Sequence, residues 1–320
     1  MDKNLNTFDV SRFCRRAEEE RLNLFNLRVW QDGQLIGAYD WEPVKRLDIR
    51  SGTKTITSIA VGFANREGLL SLEDPVAEYF RAELPERPSQ NLMKMKIRHL
   101  LTMTMGFEHA MLMGAQREEM RREHQDWVRY VLKDQVLYNP GEKFLYNNAG
   151  PYLLSVLLKK KTGMGITEYL KPRLFDPMGF QNIRTKEYCP MGYELGCSGI
   201  WMDVNEFGKL GLLYLQDGRW DGRQLLPRGW VQESSTPSVY TVPTSILPGY
   251  EPSQDSVIGA TYGYYIWGGP WGKWYYFCGA NDNIVVIVPE RNAVVAVTAH
   301  VLQPGNLTLH AVAQEIIPYL

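Results

Sequence analysis

Hydrophobic and polar positions along the first part of the chain predict a helix, a hairpin and a second helix. Residues 8–22 carry apolar side chains at helical spacing. The segment 25–41 alternates around Asp32 and Gly33, a pair that favours a tight hairpin turn. From Ser51 onward the period becomes helical again. The N-terminal part therefore predicts two strands between two helices.

The rest of the chain changes from a helical to an alternating pattern. Residues 76–188 are mostly helical in pattern, with polar faces. Asp203 and Glu206 form a capping-box start for a further helix, and residues 236–256 are rich in turn formers and predict a long loop. Several short strands follow over 262–300, and a last helix closes the chain.

This order predicts an α/β (α+β) fold with two domains. Strands from both ends of the chain would pair in one antiparallel sheet flanked by the terminal helices. Residues 1–75 and 190–320 form the predicted sheet domain, and residues 76–189 an inserted all-α domain. We expect the active site in the cleft between them, because such clefts commonly hold ligands.

Composition is that of an ordinary globular protein and excludes few functions. The 320 residues include 22% charged and 44% hydrophobic residues, and the net charge is −1. This balance favours neither nucleic acid nor a membrane as a partner. We find no signal peptide pattern and no transmembrane span, which predicts a cytoplasmic protein. Four scattered cysteines predict free thiols, and no cofactor or metal motif is present.

The first candidate for chemistry is the motif S-x-x-K formed by Ser51 and Lys54, which occurs once in the chain. Residues three apart share a helix face, so the lysine can reach the hydroxyl. The first turn of a helix also favours an anion. A serine becomes nucleophilic beside a base such as lysine. In isolation, however, the motif is more often a helix cap followed by a solvated lysine.

A second candidate is the motif Y-x-N formed by Tyr146 and Asn148, directly before an apolar helical pattern. A tyrosine hydroxyl beside a lysine can carry a proton, and an asparagine amide can hold a substrate carbonyl. The alternative is a core aromatic residue and a loop cap. The aromatic residues over 262–277 could likewise line an acyl pocket or simply cover a half-buried sheet.

Two segments, residues 49–76 and 144–163, resemble the serine β-lactamase and penicillin-binding-protein superfamily. This superfamily includes class C β-lactamases, D,D-peptidases, family VIII esterases and 6-aminohexanoate-oligomer hydrolases. The resemblance continues from about residue 25 to about residue 300. It implies the β-lactamase/transpeptidase-like fold and an acyl-enzyme reaction. Further segments that carry the resemblance are 97–107, 168–180 and 196–231.

The resemblance also implies a role for each matching residue. Ser51 would be the acylated nucleophile, and Lys54 its general base or proton relay. Tyr146 would activate the water that cleaves the acyl-enzyme, and Asn148 would bind the amide of the substrate.

A third motif of the superfamily, K-T-G or H-x-G, falls on Phe277, Cys278 and Gly279. The glycine fits, whereas a phenylalanine replaces the cation. The resemblance places the oxyanion hole at the backbone N–H groups of Ser51 and Ala280. The missing cation often binds a substrate carboxylate. We therefore expect weak hydrolysis of penicillins and D-Ala-D-Ala peptides, and better activity on uncharged esters or amides.

Two functional interpretations follow from these motifs. The first is a serine acyl hydrolase that cleaves a small-molecule ester, amide or lactam through an acyl-enzyme on Ser51. The second is a catalytically silent domain that binds an acyl ligand as a sensor or scaffold. The complete set of Ser51, Lys54 and Tyr146 favours catalysis. The segment 196–200 lacks the last glycine of G-x-S-x-G, which disfavours a nucleophile-elbow hydrolase. The sequence leaves the oligomeric state open.

Overall fold

A computed structural model describes most of the chain. Most of the loop predicted at 236–256 lies outside the described residues, although residues 239–240 are described and form a short strand. The described residues are 7–123, 125–241, 261–269, 273–303 and 305–320.

The centre of the fold, in the described residues, is an eight-stranded sheet. All of its neighbouring strands run antiparallel. The predicted antiparallel sheet of N- and C-terminal strands is thus confirmed. The strands that the structure describes are β1 (Leu24–Gln31), β2 (Gln34–Asp40), β3 (Leu47–Asp48), β4 (Trp201–Met202), β5 (Arg219–Trp220), β6 (Arg223–Gln224), β7 (Val239–Tyr240), β8 (Thr261–Tyr262), β9 (Trp267–Gly268), β10 (Tyr275–Gly279), β11 (Asn283–Val288) and β12 (Ala293–Ala299). Their order in the large sheet is β2-β1-β12-β11-β10-β9-β8-β7.

Helices flank this sheet and fill the middle of the chain. The helices between residues 76 and 170 lie in the region with the helical sequence pattern. The domain boundaries at 75/76 and 189/190 stay a prediction. The helices are α1 (Ser11–Glu19), α2 (Thr53–Arg66), α3 (Val76–Tyr79), α4 (Gln90–Lys94), α5 (Ile97–Leu101), α6 (Gly114–Arg122), α7 (Trp127–Lys133), α8 (Ala149–Thr162), α9 (Ile166–Leu170), α10 (Val204–Leu215), α11 (Trp230–Ser235) and α12 (Leu307–Glu315).

Local sequence signals account for the hairpin and for the start of α10. Asp32 and Gly33 have φ of 51° and 76°, the backbone that a two-residue turn between twisted strands requires. Asp203 accepts hydrogen bonds from the backbone of Asn205 and Glu206, and the Glu206 carboxylate accepts one from the backbone of Asp203. The predicted hairpin and capping box are both confirmed.

The sheet buries both of its faces because successive side chains of a strand point to opposite sides. Val286 and Val295 belong to the apolar layer that contains α1 and α12. Val285 and Val294 belong to the layer that contains α2, α8 and α10. This second layer is the larger one, and it carries the helix that follows Ser51.

Membrane-spanning helices and metal-binding clusters are both absent from the part of the chain that the structure describes. No helix there is long and apolar enough to cross a membrane. In the same residues no group of three or more histidine, cysteine or acidic side chains could hold a metal ion. All four cysteines are free thiols, as predicted.

Candidate active site

Ser51 lies in a short 3₁₀ turn, Arg50–Gly52, that leads directly into α2. Arg50 has φ of 52°, a left-handed backbone that few non-glycine residues adopt and that often marks a functional turn. Phe207 packs under the turn, since a Cβ on Gly52 would lie 2.8 Å from its ring. Ser51 is half-buried at the N-terminal end of a buried helix, as its sequence position predicts.

Lys54 is buried and contacts the candidate nucleophile. Its Nζ atom lies 2.9 Å from the Ser51 Oγ atom, and only 1% of the residue is exposed. The same Nζ atom donates to the Cys197 carbonyl at 3.1 Å. These oxygens belong to a hydroxyl and a backbone carbonyl rather than to a carboxylate. The lysine is therefore held against the serine, and the alternative of a solvated surface lysine is wrong for this structure.

The backbone segment that carries the Cys197 carbonyl is fixed to α2 by two threonines. The Thr57 hydroxyl donates to the Gly196 carbonyl at 2.7 Å. The Thr53 hydroxyl accepts from the backbone N–H of Ile200 at 3.2 Å. Both threonines are buried, so these hydrogen bonds are shielded from water. The oxygen that orients the lysine thus comes from a residue about 140 positions away, which the local sequence motif cannot show.

Tyr146 approaches Lys54 with its ring. The Lys54 Nζ atom lies 4.9 Å from the ring centroid, within the range of a cation–π contact. The ring stacks on Trp267 at a centroid distance of 5.7 Å and meets the edge of Tyr262 at 6.4 Å. Among the described residues, no hydrogen bond joins the Tyr146 hydroxyl to Ser51 or Lys54. The aromatic residues of β8 and β9 thus pack around a candidate catalytic side chain.

Asn148 precedes α8 and has one unused polar atom. Its Nδ2 atom donates to the Leu112 carbonyl at 2.9 Å. Its Oδ1 atom is buried and has no hydrogen-bond partner among the described residues. The amide oxygen of the preceding Asn147, in contrast, accepts from the backbone of Met111 and Ala149. An unpaired buried acceptor costs free energy, so a donor that reached this oxygen would stabilise the site.

The third motif lies on β10, and its phenylalanine points into the core. Phe277 is fully buried, with its ring centroid 5.0 Å from that of Tyr214 and 6.4 Å from that of Phe207. In this conformation the ring has no exposed surface to offer a substrate. A role for Phe277 in substrate binding stays a prediction. In this structure the ring supports β10 from the core, so its effect on a substrate would be indirect, through the position of that strand.

The residue of this motif that is half-buried is Cys278. Burial raises the pKa of its thiol to about 12; Asp282 raises it further, and Lys54 opposes the shift. A thiol with such a pKa stays protonated at neutral pH and is a poor nucleophile. Alternation along the strand indicates that Cys278 and Phe277 point to opposite faces, although the sequence motif assigns no role to Cys278.

Gly279 allows β10 to touch the nucleophile turn. A Cβ at this position would lie 2.0 Å from the Ile49 carbonyl oxygen and 3.3 Å from the Arg50 Cβ atom. Ala280 follows at the end of the strand and is exposed. The end of β10 therefore lies against the turn that carries Ser51, and a glycine is required for this contact.

We expect Gly279→Ala to lower kcat/KM by about 10²-fold, measured with a neutral nitrophenyl ester. The added methyl group must push β10 away from the Ile49 carbonyl, which moves the Ala280 N–H group relative to Ser51. Loss of one oxyanion donor costs about 10²–10³-fold in rate. Unchanged kcat/KM would contradict the assignment of this strand to the site.

Gly211→Ala is the matched control for this substitution. A Cβ there would lie 2.5 Å from Val285 and 2.8 Å from Val294, within the core between α10 and the sheet. We expect this variant to lose stability in a thermal melt while its folded fraction keeps normal kcat/KM.

The sequence model of the family described as Beta-lactamase matches residues 18–315 of this chain. None of the curated proteins matches it. Many solved structures have the same fold, and three of them illustrate the likeness. A protein assigned as a 6-aminohexanoate-dimer hydrolase, from Bacillus anthracis, has a TM-score of 0.72 at 19% identity, over 99% of this chain and 85% of that chain.

The other two structures have similar scores. The octameric penicillin-binding protein homologue from Pyrococcus abyssi has a TM-score of 0.69 at 18% identity, over 96% of this chain and 76% of that chain. EstCE1, a hydrolase with promiscuous acyltransferase activity, has a TM-score of 0.71 at 15% identity, over 95% of this chain and 98% of that chain. At these identities the likeness concerns the fold.

Proposed function

This chain belongs to the beta-lactamase family, and we propose that it is a serine hydrolase. It would cleave a small-molecule ester or amide through an acyl-enzyme on Ser51. The observation that carries the proposal is the 2.9 Å distance between the Lys54 Nζ and Ser51 Oγ atoms, at a buried lysine. A hydroxyl with an adjacent base is the arrangement that nucleophilic catalysis requires.

In the acylation step, Lys54 accepts the hydroxyl proton while the Ser51 Oγ atom attacks the carbonyl carbon of the substrate. The negative charge that develops on the carbonyl oxygen is stabilised by the backbone N–H groups of Ser51 and Ala280. Collapse of this intermediate breaks the bond to the leaving group, which receives the proton. The acyl group then remains on Ser51 as an ester.

In the deacylation step, water attacks this ester, and we assign Tyr146 to its activation. The contact of its ring with Lys54 supports the assignment, because it places Tyr146 beside the pair formed by Ser51 and Lys54. Catalytic hydrogen bonds are often long or misaligned without substrate. Asn148, with its unpaired Oδ1 atom, is the proposed ligand for an N–H group of the substrate.

We expect Tyr146→Phe to slow deacylation by about 10²-fold and to change acylation less. The phenyl ring keeps the stack on Trp267, so the variant removes the hydroxyl alone. Pre-steady-state measurements with a nitrophenyl ester separate the two steps: the burst stays fast, and the subsequent steady-state rate falls. Equal losses in both steps would show that Tyr146 does not act mainly on water.

A mass measurement tests the proposed function as a whole. The protein is mixed with a nitrophenyl ester, and its intact mass is followed over time. A hydrolase shows an acyl adduct that forms and decays while nitrophenol accumulates over many turnovers. An adduct that persists, or none at all, would favour the catalytically silent ligand-binding or sensor domain instead.

A further inference from the structure

The carbonyl that binds Lys54 lies between two glycines. Gly196 has φ of 66° and Gly199 has φ of 98°, and Cys197 and Ser198 stand between them. Glycine has the most backbone freedom of any residue, so the two middle residues need contacts of their own to keep one conformation. The hydrogen bonds from the two threonines of α2 reach only the ends of this segment. The Cys197 carbonyl, which accepts from Lys54 at 3.1 Å, lies in its middle.

Two charged side chains hold Ser198, the residue that follows this carbonyl. The Arg117 Nη1 atom donates to the Ser198 Oγ atom at 2.9 Å, and the Ser198 hydroxyl donates to the Glu187 Oε2 atom at 2.6 Å. The same Arg117 atom lies 3.5 Å from Glu187 Oε2 and 3.8 Å from the Cys197 Sγ atom. The arginine thus contacts both middle residues of the segment, and the glutamate holds one of them from a second side.

These contacts are largely shielded from water and join distant parts of the chain. The Arg117 side chain is 15% exposed and that of Glu187 is 22% exposed, and Ser198 is buried. Hydrogen bonds to ionised groups are stronger than neutral ones, and shielding from water strengthens them further. Arg117 lies on α6, about 80 positions before the serine that it holds. The helical middle of the chain therefore contacts the segment that orients Lys54.

We propose that Arg117 and Glu187 are positioning residues for the acyl-enzyme reaction. Through Ser198 they fix the carbonyl that binds Lys54, and this carbonyl keeps the lysine against the nucleophile. Within the described residues, neither side chain forms a hydrogen bond or an ion pair with Ser51 or Lys54, so their effect on the reaction must pass through the segment. The inference rests on the proposed function and adds two residues to its site.

The first experiment removes the arginine and measures acylation by a nitrophenyl ester. We expect Arg117→Met to lower the maximal rate of the nitrophenol burst by about 10- to 100-fold, because small displacements of a reacting group have effects of this size. The ester concentration that gives half of the maximal burst rate should not change. Arg117→Lys should restore part of the rate, since an ammonium can also donate to the Ser198 hydroxyl. Ser198→Ala removes only that hydroxyl and should lower the burst rate as well.

Arg121→Met is the matched control for Arg117→Met. Arg121 lies on the same helix and also pairs with an acid, because its Nη1 atom donates to both carboxylate oxygens of Glu118 at 2.7 Å. Its substitution should leave the burst rate unchanged, and a thermal melt shows that each variant is folded. An unchanged burst rate in folded Arg117→Met would overturn the inference. So would a higher half-saturating ester concentration at a normal maximal rate, since that result would make Arg117 a substrate ligand.

The second experiment determines whether Arg117 acts through Lys54. In the Lys54→Met background, Arg117→Met should change the remaining acylation rate by less than about twofold, because the group that it positions is already gone. An equal factor in both backgrounds would show that Arg117 supports the site in general, and the positioning role would be wrong.

The third experiment observes Lys54 without any turnover, by NMR of lysine side chains labelled with ¹³C at Cε. The signal that disappears in Lys54→Met belongs to Lys54. Because its amine is buried between the Ser51 hydroxyl and the Cys197 carbonyl, this signal should move in Arg117→Met and stay in place in Arg121→Met. If it moves although the wild type hydrolyses no ester, the proposed function fails and the positioning of Lys54 stands. A signal that does not move overturns the inference.

Discussion

Ser51→Ala is expected to abolish covalent labelling by a fluorophosphonate probe and to lower kcat by about 10⁶-fold, the scale seen when a serine hydrolase loses its nucleophile. The substitution removes the oxygen that lies 2.9 Å from Lys54, and no other serine in the chain has a lysine three residues later. Intact mass after probe treatment, together with turnover of a nitrophenyl ester, measures both effects.

Ser58→Ala is the control on the same helix. Ser58 is fully buried, and within the described part of the chain its Oγ atom has no hydrogen-bond partner, so its loss should leave both labelling and turnover normal. If Ser51→Ala keeps near-normal turnover, the nucleophile lies elsewhere and the proposed function is wrong. If labelling survives only on another residue, the probe reports a side reaction.

Lys54→Met is expected to slow acylation by about 10³–10⁴-fold, the upper range for loss of a general base. Methionine has a similar length and fills the buried site, so the fold should persist, whereas Lys54→Ala would also leave a cavity. The rate of the nitrophenol burst measures acylation directly, and a thermal melt measures stability.

Two outcomes decide the role of Lys54. A burst rate close to that of the wild type would show that another group accepts the Ser51 proton. A slow burst in a variant with a normal melting temperature would assign the loss to catalysis. Lys133→Met, whose lysine is exposed on α7, gives the baseline for removal of a lysine far from Ser51.

The contact between Ser51 and Lys54 could be predicted from the sequence because it is local. Residues three apart on a helix are neighbours whatever the rest of the chain does. The same holds for the turn at Asp32 and Gly33, whose backbone is set by two adjacent residues. The antiparallel sheet also followed from the pattern, since alternation shows where strands lie and short connections make neighbouring strands antiparallel.

The orientation of side chains that meet across the fold could not be predicted in this way. The motif suggested a Tyr146 hydroxyl near the lysine, whereas the packing of Trp267 turns the face of the ring toward it. The sequence position of Phe277 places it in the third motif, but only the packing of α10 on the sheet shows that its ring lies in the core.

The sequence by itself determined the elements, the family resemblance and the local Ser51–Lys54 pair, because each depends on residues a few positions apart. The tertiary structure decided which distant groups join them: the Cys197 carbonyl accepts from the lysine, and the Ile49 carbonyl lies against Gly279. Such contacts depend on how helices and strands pack, and that packing is a property of the whole chain rather than of any short segment.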